Sequence, residues 1–300
     1  MADILIGTCG YSYHEWVGPV YPAGTKPGAY LACYAGLFPT VELDFSFYAM
    51  PKAENLAKML LDGGPRVTFS IKAFQGLTHK IDPVRWPDVA KQYLEAIAPL
   101  REPLPGFPAG RLEAVLFQFP YQFGYEGENR RYLDKLLKCF EGVPAAVEFR
   151  KADWYTGRVI EGMKDRGVPL VALDMPELRG LPPLMDVVTA DTAYIRLHGR
   201  NKETWWGSDG AARYDYLYGD RELEAWADRI KGIGEQARRI LVYFNNHPKG
   251  KAAKNALSLE KILKKAGLWH GGEGKDVKHG VLPGMFPAAP PGVPANKPEA

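Results

Sequence analysis

The stretch Ala193–Arg200, AYIRLHGR, alternates apolar and polar side chains and ends in a basic cluster. In an extended chain Arg196 and His198 fall on one side, Ile195 and Leu197 on the other. A guanidinium fork suits carboxylate or phosphate oxygens, and an imidazole beside it suits proton transfer. Other short runs end in groups of the same kind. VELDFS carries Glu42, Asp44 and Ser46 on one face with Tyr48 just beyond, and FSIK carries Ser70 and Lys72, followed by Gln75, Thr78 and His79. Further along come Gln118 before Pro120, Glu148 with Arg150, then Asp174, and finally Asn245, Asn246 and His247. Ionisable groups held inside a fold cost several kcal/mol each unless paired or hydrogen-bonded. Either the chain uses them, or they form a buried salt-bridge lattice that fixes an interior.

Positioning such groups requires regular elements, and eight apolar or alternating runs supply them: Ile4–Cys9, Val41–Ser46, Val67–Ala73, Leu112–Phe119, Ala145–Arg150, Pro169–Met175, Ala193–His198 and Ile240–Asn246. Helical signals lie between them. Arg221–Ala237 and Asn129–Phe140 each carry one apolar stripe, Pro51–Leu61 is stopped by Gly63-Gly64-Pro65, and Trp154–Arg166 is bounded by Gly167. After the sixth run, Gly180-Leu181-Pro182-Pro183 leaves room for little or no helix, and Pro99–Gly110 reads as a loop. Alternation of this kind predicts an α/β fold, a single (β/α)8 barrel of parallel strands ringed by helices over residues 1–268. Residues 269–300, rich in Gly and Pro, read as a flexible tail. In a barrel the carboxyl ends of the strands form the working face, so the polar groups above converge there. Leu43, Phe45, Phe69, Ile71, Val147, Phe149, Ile195 and Leu197 would then face the helices.

The totals exclude less than the pattern does. A net charge of +3 is too mild to indicate nucleic acid by itself. Cys9, Cys33 and Cys139 form neither an even set nor a CxxC pair, which argues against a disulfide framework or a zinc knuckle. No secretory leader or membrane-length apolar run is visible, so the expected location is the cytoplasm, with no membrane partner. A nucleophile elbow, a Walker loop and a dinucleotide fingerprint are all absent, and Cys9 has no base among its sequence neighbours.

GTCGYSYHEW, VELDFSFY, FSIKAFQGLTH, VLFQFP, EFR followed by Trp154, YIRLHGR and YFNNHPKGKAAKNA appear in that order from Ile4 to about Leu263. Together they resemble the YecE-like family, also called domain of unknown function 72. The resemblance implies a TIM-barrel-type fold and brings no established activity. Within it, this chain has Asp44 where the pattern usually has Asn and Cys9 where it usually has Ser, and the Pro-rich tail is extra.

Three chemistries are compatible with the residues. The first is an enzyme, hydrolase or isomerase-like, acting on a phosphate-bearing or sugar-like ligand. Lys72, Arg150, Arg196 and Arg200 would hold the anion, Glu148 would act as base, and His198, Asp174 and Asp44 would move protons, with Gln118, Tyr48, Asn245, Asn246 and His247 binding substrate. Backbone amides of the Asn245–Lys251 run are placed where barrels often hold a phosphate. The second uses a divalent metal held by Glu148, Asp174, His198 and His247. The third is a non-catalytic module for nucleic acid or carbohydrate, in which Tyr11, Tyr13, Trp16, Phe47, Tyr48, Trp205 and Trp206 flank the mouth and the Lys202–Tyr218 loop acts as a lid.

Overall fold

Parallel strands need long crossovers between them, and the chain supplies helices for that purpose in alternation. The computed structural model describes residues 1–103, 110–207 and 210–269. Strand β1 (Asp3–Cys9) leads through helix α1 (Tyr30–Ala35) to β2 (Thr40–Leu43). The single turn α2 (Phe45–Tyr48) and helix α3 (Ala53–Asp62) precede β3 (Thr68–Lys72). Next come α4 (Trp86–Ala96), the short α5 (Ala98–Arg101), β4 (Leu112–Phe119), α6 (Gly127–Cys139) and β5 (Ala145–Phe149). Helix α7 (Gly157–Arg166) connects to β6 (Ala172–Asp174), and no helix intervenes before β7 (Thr192–Leu197). The turn α8 (Gly210–Tyr214), helix α9 (Asp220–Gly234), β8 (Arg239–Phe244) and α10 (Lys251–Lys265) follow.

The strands lie side by side in the order β5-β4-β3-β2-β1-β8-β7-β6, all parallel. The two outer strands meet at one bridge, Val147 with Leu170, where the Val147 amide donates to the Pro169 carbonyl and the Val171 amide to that of Val147, both at 2.9 Å. The sheet is therefore a nearly closed cylinder of the (β/α)8 TIM type, as expected.

Alternation along each strand sorts side chains into two layers. Leu5, Leu116, Leu173 and Leu241 point into the cylinder, while Ile4, Ile6, Phe117, Ile195 and Val242 pack under the helices. The helical stripes lie on that outer layer: α6 buries Leu133, Leu136 and Leu137, and α9 buries Leu223, Trp226, Ile230 and Ile233. Helix α7 starts where the Thr156 hydroxyl accepts from the Val159 amide and stops where Gly167 adopts φ 60°, a left-handed cap that glycine takes without strain. At the amino-terminal end of the barrel Arg239 is paired with Asp3 and Glu113, an arrangement that serves stability.

Four expectations need correction or limits. Strand two was expected to reach Ser46 but stops at Leu43, because Asp44 already has helical angles (φ −95°, ψ −23°) and opens α2. Phe45 therefore leaves the helix-facing layer and is 41% exposed. Helix α4 was not anticipated, and α5 occupies the start of the Pro99–Gly110 segment read as loop, of which 104–109 lie outside the described residues. Nearly all of the expected tail, 270–300, lies outside them too. Among the described residues no helix is long and apolar enough to cross a membrane.

Candidate functional site

Arg196 is central to the barrel interior. It points inward from β7, is 1% exposed, and joins two carboxylates from other strands. Its Nη1 donates to Glu148 Oε2 at 2.7 Å, and its Nη2 to Glu42 Oε1 at 2.6 Å and to Cys9 Sγ at 3.4 Å. The Tyr194 hydroxyl donates to the other Glu42 oxygen at 2.6 Å. Glu148 is also paired through Oε1 with Arg150 Nε, and His198 Nε2 stands 3.6 Å from the same oxygen. The His198 Nδ1 is hydrogen-bonded to Asn245 Nδ2 at 2.9 Å. Two acids and two arginines thus form one buried chain, Glu42–Arg196–Glu148–Arg150, across β2, β7 and β5. Burying charges at this depth is tolerated because each carboxylate faces at least one guanidinium.

Above this chain opens a cleft of about 410 Å³ at the carboxyl ends of the strands. Of the residues expected at the mouth, Asp44, Tyr48, Lys72, Arg150, Arg196, Asn245 and His247 line it. Tyr11, Tyr13, Phe45 and Tyr214 supply its aromatic walls, and Gly10, Ser12 and Leu43 complete the lining. Lys72 is set firmly: its carbonyl accepts from Ser46 Oγ at 2.6 Å and from the Tyr93 hydroxyl at 3.0 Å, and its Nζ lies 4.3 Å from the centre of the Phe47 ring. Tyr13 donates to the Cys9 carbonyl at 2.7 Å and stacks on His247 with centroids 4.7 Å apart. Gly10 permits that stack, since it has φ 75° and a Cβ there would come within 2.4 Å of the Tyr13 hydroxyl.

Several expected members are elsewhere. Glu148 and His198 sit one layer beneath the cleft, and the Gln118 amide donates to the adjacent Phe119 carbonyl at 2.9 Å. Asp174 turns away altogether, because Leu173 takes the inward direction on β6. Its carboxylate accepts from Arg200 Nε and Nη2, at 2.8 and 2.6 Å, and from the Trp226 indole of α9. Arg200 also pairs with Glu222 at 3.0 Å, so neither Asp174 nor Arg200 reaches the mouth. Asn246 donates to the Tyr216 carbonyl and to Asn255 of α10. The backbone site expected after β8 is already in use: the Lys249 amide donates to Glu15 at 3.0 Å, and Lys249 and Lys251 both pair with Asp215. The expected metal ligands Glu148, Asp174, His198 and His247 do not converge, and no group of three or more His, Cys, Asp or Glu suited to a metal occurs among the described residues. Of the expected mouth aromatics, Trp16 is buried in the core and Trp205 packs beside His198 and Tyr214, while Trp206 is half exposed. Residues 208 and 209 of the expected lid lie outside the described part.

The environment sets each group's protonation. Burial and the neighbouring Glu42 push the Asp44 carboxyl up to about 7, against the pull of Lys72 and Arg196. Burial would raise Glu148 as well, yet Arg150 and Arg196 overrule it and hold it well below the usual carboxylate range. Burial and Arg150 drive His198 well below the usual imidazole value, which keeps it neutral. The Cys9 thiol is pushed up by burial, the opposite of what a thiolate nucleophile needs. Burial alone would raise the Tyr214 phenol, but Arg150, Lys72, Arg196 and Arg213 bring it below its ordinary value. Tyr214 and Glu42 were missing from the expected site, although Glu42 stood in the VELDFS run.

The sequence profile of the family described as Protein of unknown function DUF72 matches residues 5–275. UPF0759 protein YunF of Bacillus subtilis is 31% identical over 272 residues, which cover 87% of this chain and 94% of that one. The crystal structure of a DUF72 family protein from Thermotoga maritima superimposes with a TM-score of 0.78 at 34% identity, over 87% of this chain and 99% of its own. One from Enterococcus faecalis gives 0.76 at 28% identity, over 87% and 95%.

Proposed function

The chain belongs to the DUF72 family, and we propose that its barrel mouth binds a small phosphate-bearing or sugar-like anion and transforms it, with Asp44 as the proton-transfer group. The observation that carries this reading is the set of groups facing the cleft: Lys72, Arg150 and Arg196 supply positive charge, and Asp44 is the carboxylate residue that lines it with them. Arg150 has its Nε committed to Glu148 and turns the rest of its fork to the cleft, the geometry that grips planar or tetrahedral oxyanions. A carboxyl that titrates near neutrality exchanges protons in either direction at physiological pH, whereas Glu148, ionised and bound to two arginines, is a weak base. Glu148 and His198 are accordingly positioning residues in this reading: Glu148 aims Arg150 and Arg196, and His198 holds Asn245 at the wall. The reaction class that fits is hydrolase or isomerase-like chemistry.

The aromatic walls Tyr11, Tyr13, Phe45 and Tyr48 favour a second reading, a carbohydrate or nucleic-acid binding module. The compact cleft supports a small ligand over a polymer, for which a longer charged groove is the usual platform. The test is a thermal-shift screen of phosphorylated metabolites, sugars and oligonucleotides, repeated on Arg150→Gln. Stabilisation by phosphorylated metabolites that disappears in the variant supports the first reading. Stabilisation by oligonucleotides or neutral sugars alone supports the second.

A further inference from the structure

Lys72 differs from the chain's surface lysines in how it is held. Among the described residues its Nζ has no carboxylate partner within 4.0 Å and no hydrogen bond, while it opens on the cleft beside Asp44, Arg150 and Arg196. Surface lysines such as Lys58 and Lys249 carry an acidic partner, and others among the described residues have none; what sets Lys72 apart is its place in the cleft and the way it is anchored there. The two donors on its carbonyl and the Phe47 ring beneath its ammonium fix the backbone and stem, so the amine is presented at one place. We propose that Lys72 is an amine nucleophile for a small carbonyl compound bearing an anionic group, which the cleft takes as an imine. This inference rests on the reading of the mouth as an anion site and names the functional group its ligand carries.

The step balances with residues that line the cleft. Lys72 first releases one proton to solvent. The lone pair of the neutral amine attacks the carbonyl carbon, a C–N bond forms, and the carbonyl π pair moves to oxygen, which takes a proton from the attacking nitrogen to give a carbinolamine. Asp44 donates its carboxyl proton to the new hydroxyl. The C–O bond breaks, water leaves, and the nitrogen lone pair closes the C=N bond of a protonated imine beside the Asp44 carboxylate. Arg150 holds the anionic end of the ligand throughout. Burial and the charge on Arg196 lower the proton affinity of the Lys72 amine, opposed by Asp44, which helps the first release.

Pyridoxal 5′-phosphate, an aldehyde with a phosphate and an aromatic ring, is a suitable probe. The protein is incubated with it, reduced with borohydride and mapped by peptide mass, with and without millimolar inorganic phosphate. The expected result is modification of Lys72 at least about tenfold faster than of Lys58 and Lys249, the advantage of an oriented amine, although those two side chains are 71% and 74% exposed. Phosphate should suppress the Lys72 product and leave the other two unchanged. Lys72→Arg should remove that product while circular dichroism stays native, and if the variant does not fold the wild-type map decides. Modification of Lys72 no faster than of Lys58 overturns the imine. If phosphate still raises the melting temperature in that case, the anion site stands without it. If phosphate changes neither melting nor labelling, the anion site itself fails.

Discussion

Asp44 and Glu148 show how one interior holds two carboxyl groups in opposite states. Asp44 lies beside another acid and faces its cations across the cleft, and its proton affinity rises to about 7. Glu148 is gripped by Arg150 and Arg196 and falls well below its ordinary value. The two therefore contribute to stability with opposite sign. An unfolded aspartate loses its proton near pH 3.9, so between about pH 4 and pH 7 the unfolded chain has released a proton that folded Asp44 still holds. Unfolding is favoured progressively across that window, and the penalty levels off above pH 7. Asp44→Asn, nearly isosteric and unable to titrate, removes the penalty. The variant should gain on the wild type from pH 4 to pH 7 and stay ahead by about 1–3 kcal/mol above it, since each tenfold change in proton affinity is worth about 1.4 kcal/mol and Glu42 and Lys72 share the effect. Urea denaturation across that range reads the difference, and parallel curves for the two proteins would remove Asp44 as a titrating group. Glu148 acts the other way: its contribution is complete above the ordinary carboxylate value and fades as pH drops through its lower folded one.

Strands and helices decide which residues meet, and here Asp174 is instructive. It joins the end of β6 to α9 by accepting from the Trp226 indole and to the loop after β7 by accepting from Arg200. Replacing it with Ala leaves a buried indole N–H without an acceptor and Arg200 with Glu222 alone, a loss of about 1–3 kcal/mol. Asp174→Ala should therefore lower the melting temperature yet leave phosphate-dependent stabilisation of the mouth unchanged. Loss of ligand response in a variant that remains folded would instead return Asp174 to the site. The element boundaries explain why its direction was misread. Six-residue runs such as AYIRLH carry enough alternation to fix a face, and Arg196 and His198 point inward as the pattern implies. β6 has three residues, flanked by apolar neighbours on both sides, so no alternation in the sequence distinguishes Leu173 from Asp174. Asp44 was misassigned to a strand for a related reason: the chain bends there into α2, and VELDFS reads as continuous extended structure unless the turn is known. Tyr214 was invisible because the 202–218 segment has no period from which to infer a direction. The strand count, the helix stripes and most of the cations at the mouth were legible, since each rests on periodicity or on position at the end of a run.

For the whole barrel, the weakest joint and a buried interior ion pair lie close together. Neighbouring strands elsewhere share three to six registered residue pairs, whereas β5 and β6 share the single bridge at Val147 and Leu170. The Arg196–Glu148 pair spans that seam from within, tying β5 to β7 past β6. Opening the seam separates few backbone hydrogen bonds, so local opening should cost least there and most along β1 and β8. Glu148→Gln weakens the interior tie while keeping the side chain's size. It should accelerate amide exchange at Val171 by more than at Leu241, whose strand β8 is paired on both sides. Hydrogen-exchange mass spectrometry resolved to peptides from β6 and β8 measures the ratio. A uniform acceleration across both would mean that the pair stabilises the cylinder only globally. A selective one would make the Glu42–Arg196–Glu148–Arg150 chain both the closure of the barrel and the support of the arginines that face the cleft. In that case residues beneath the site set its geometry, and a substitution there moves stability and ligand response together.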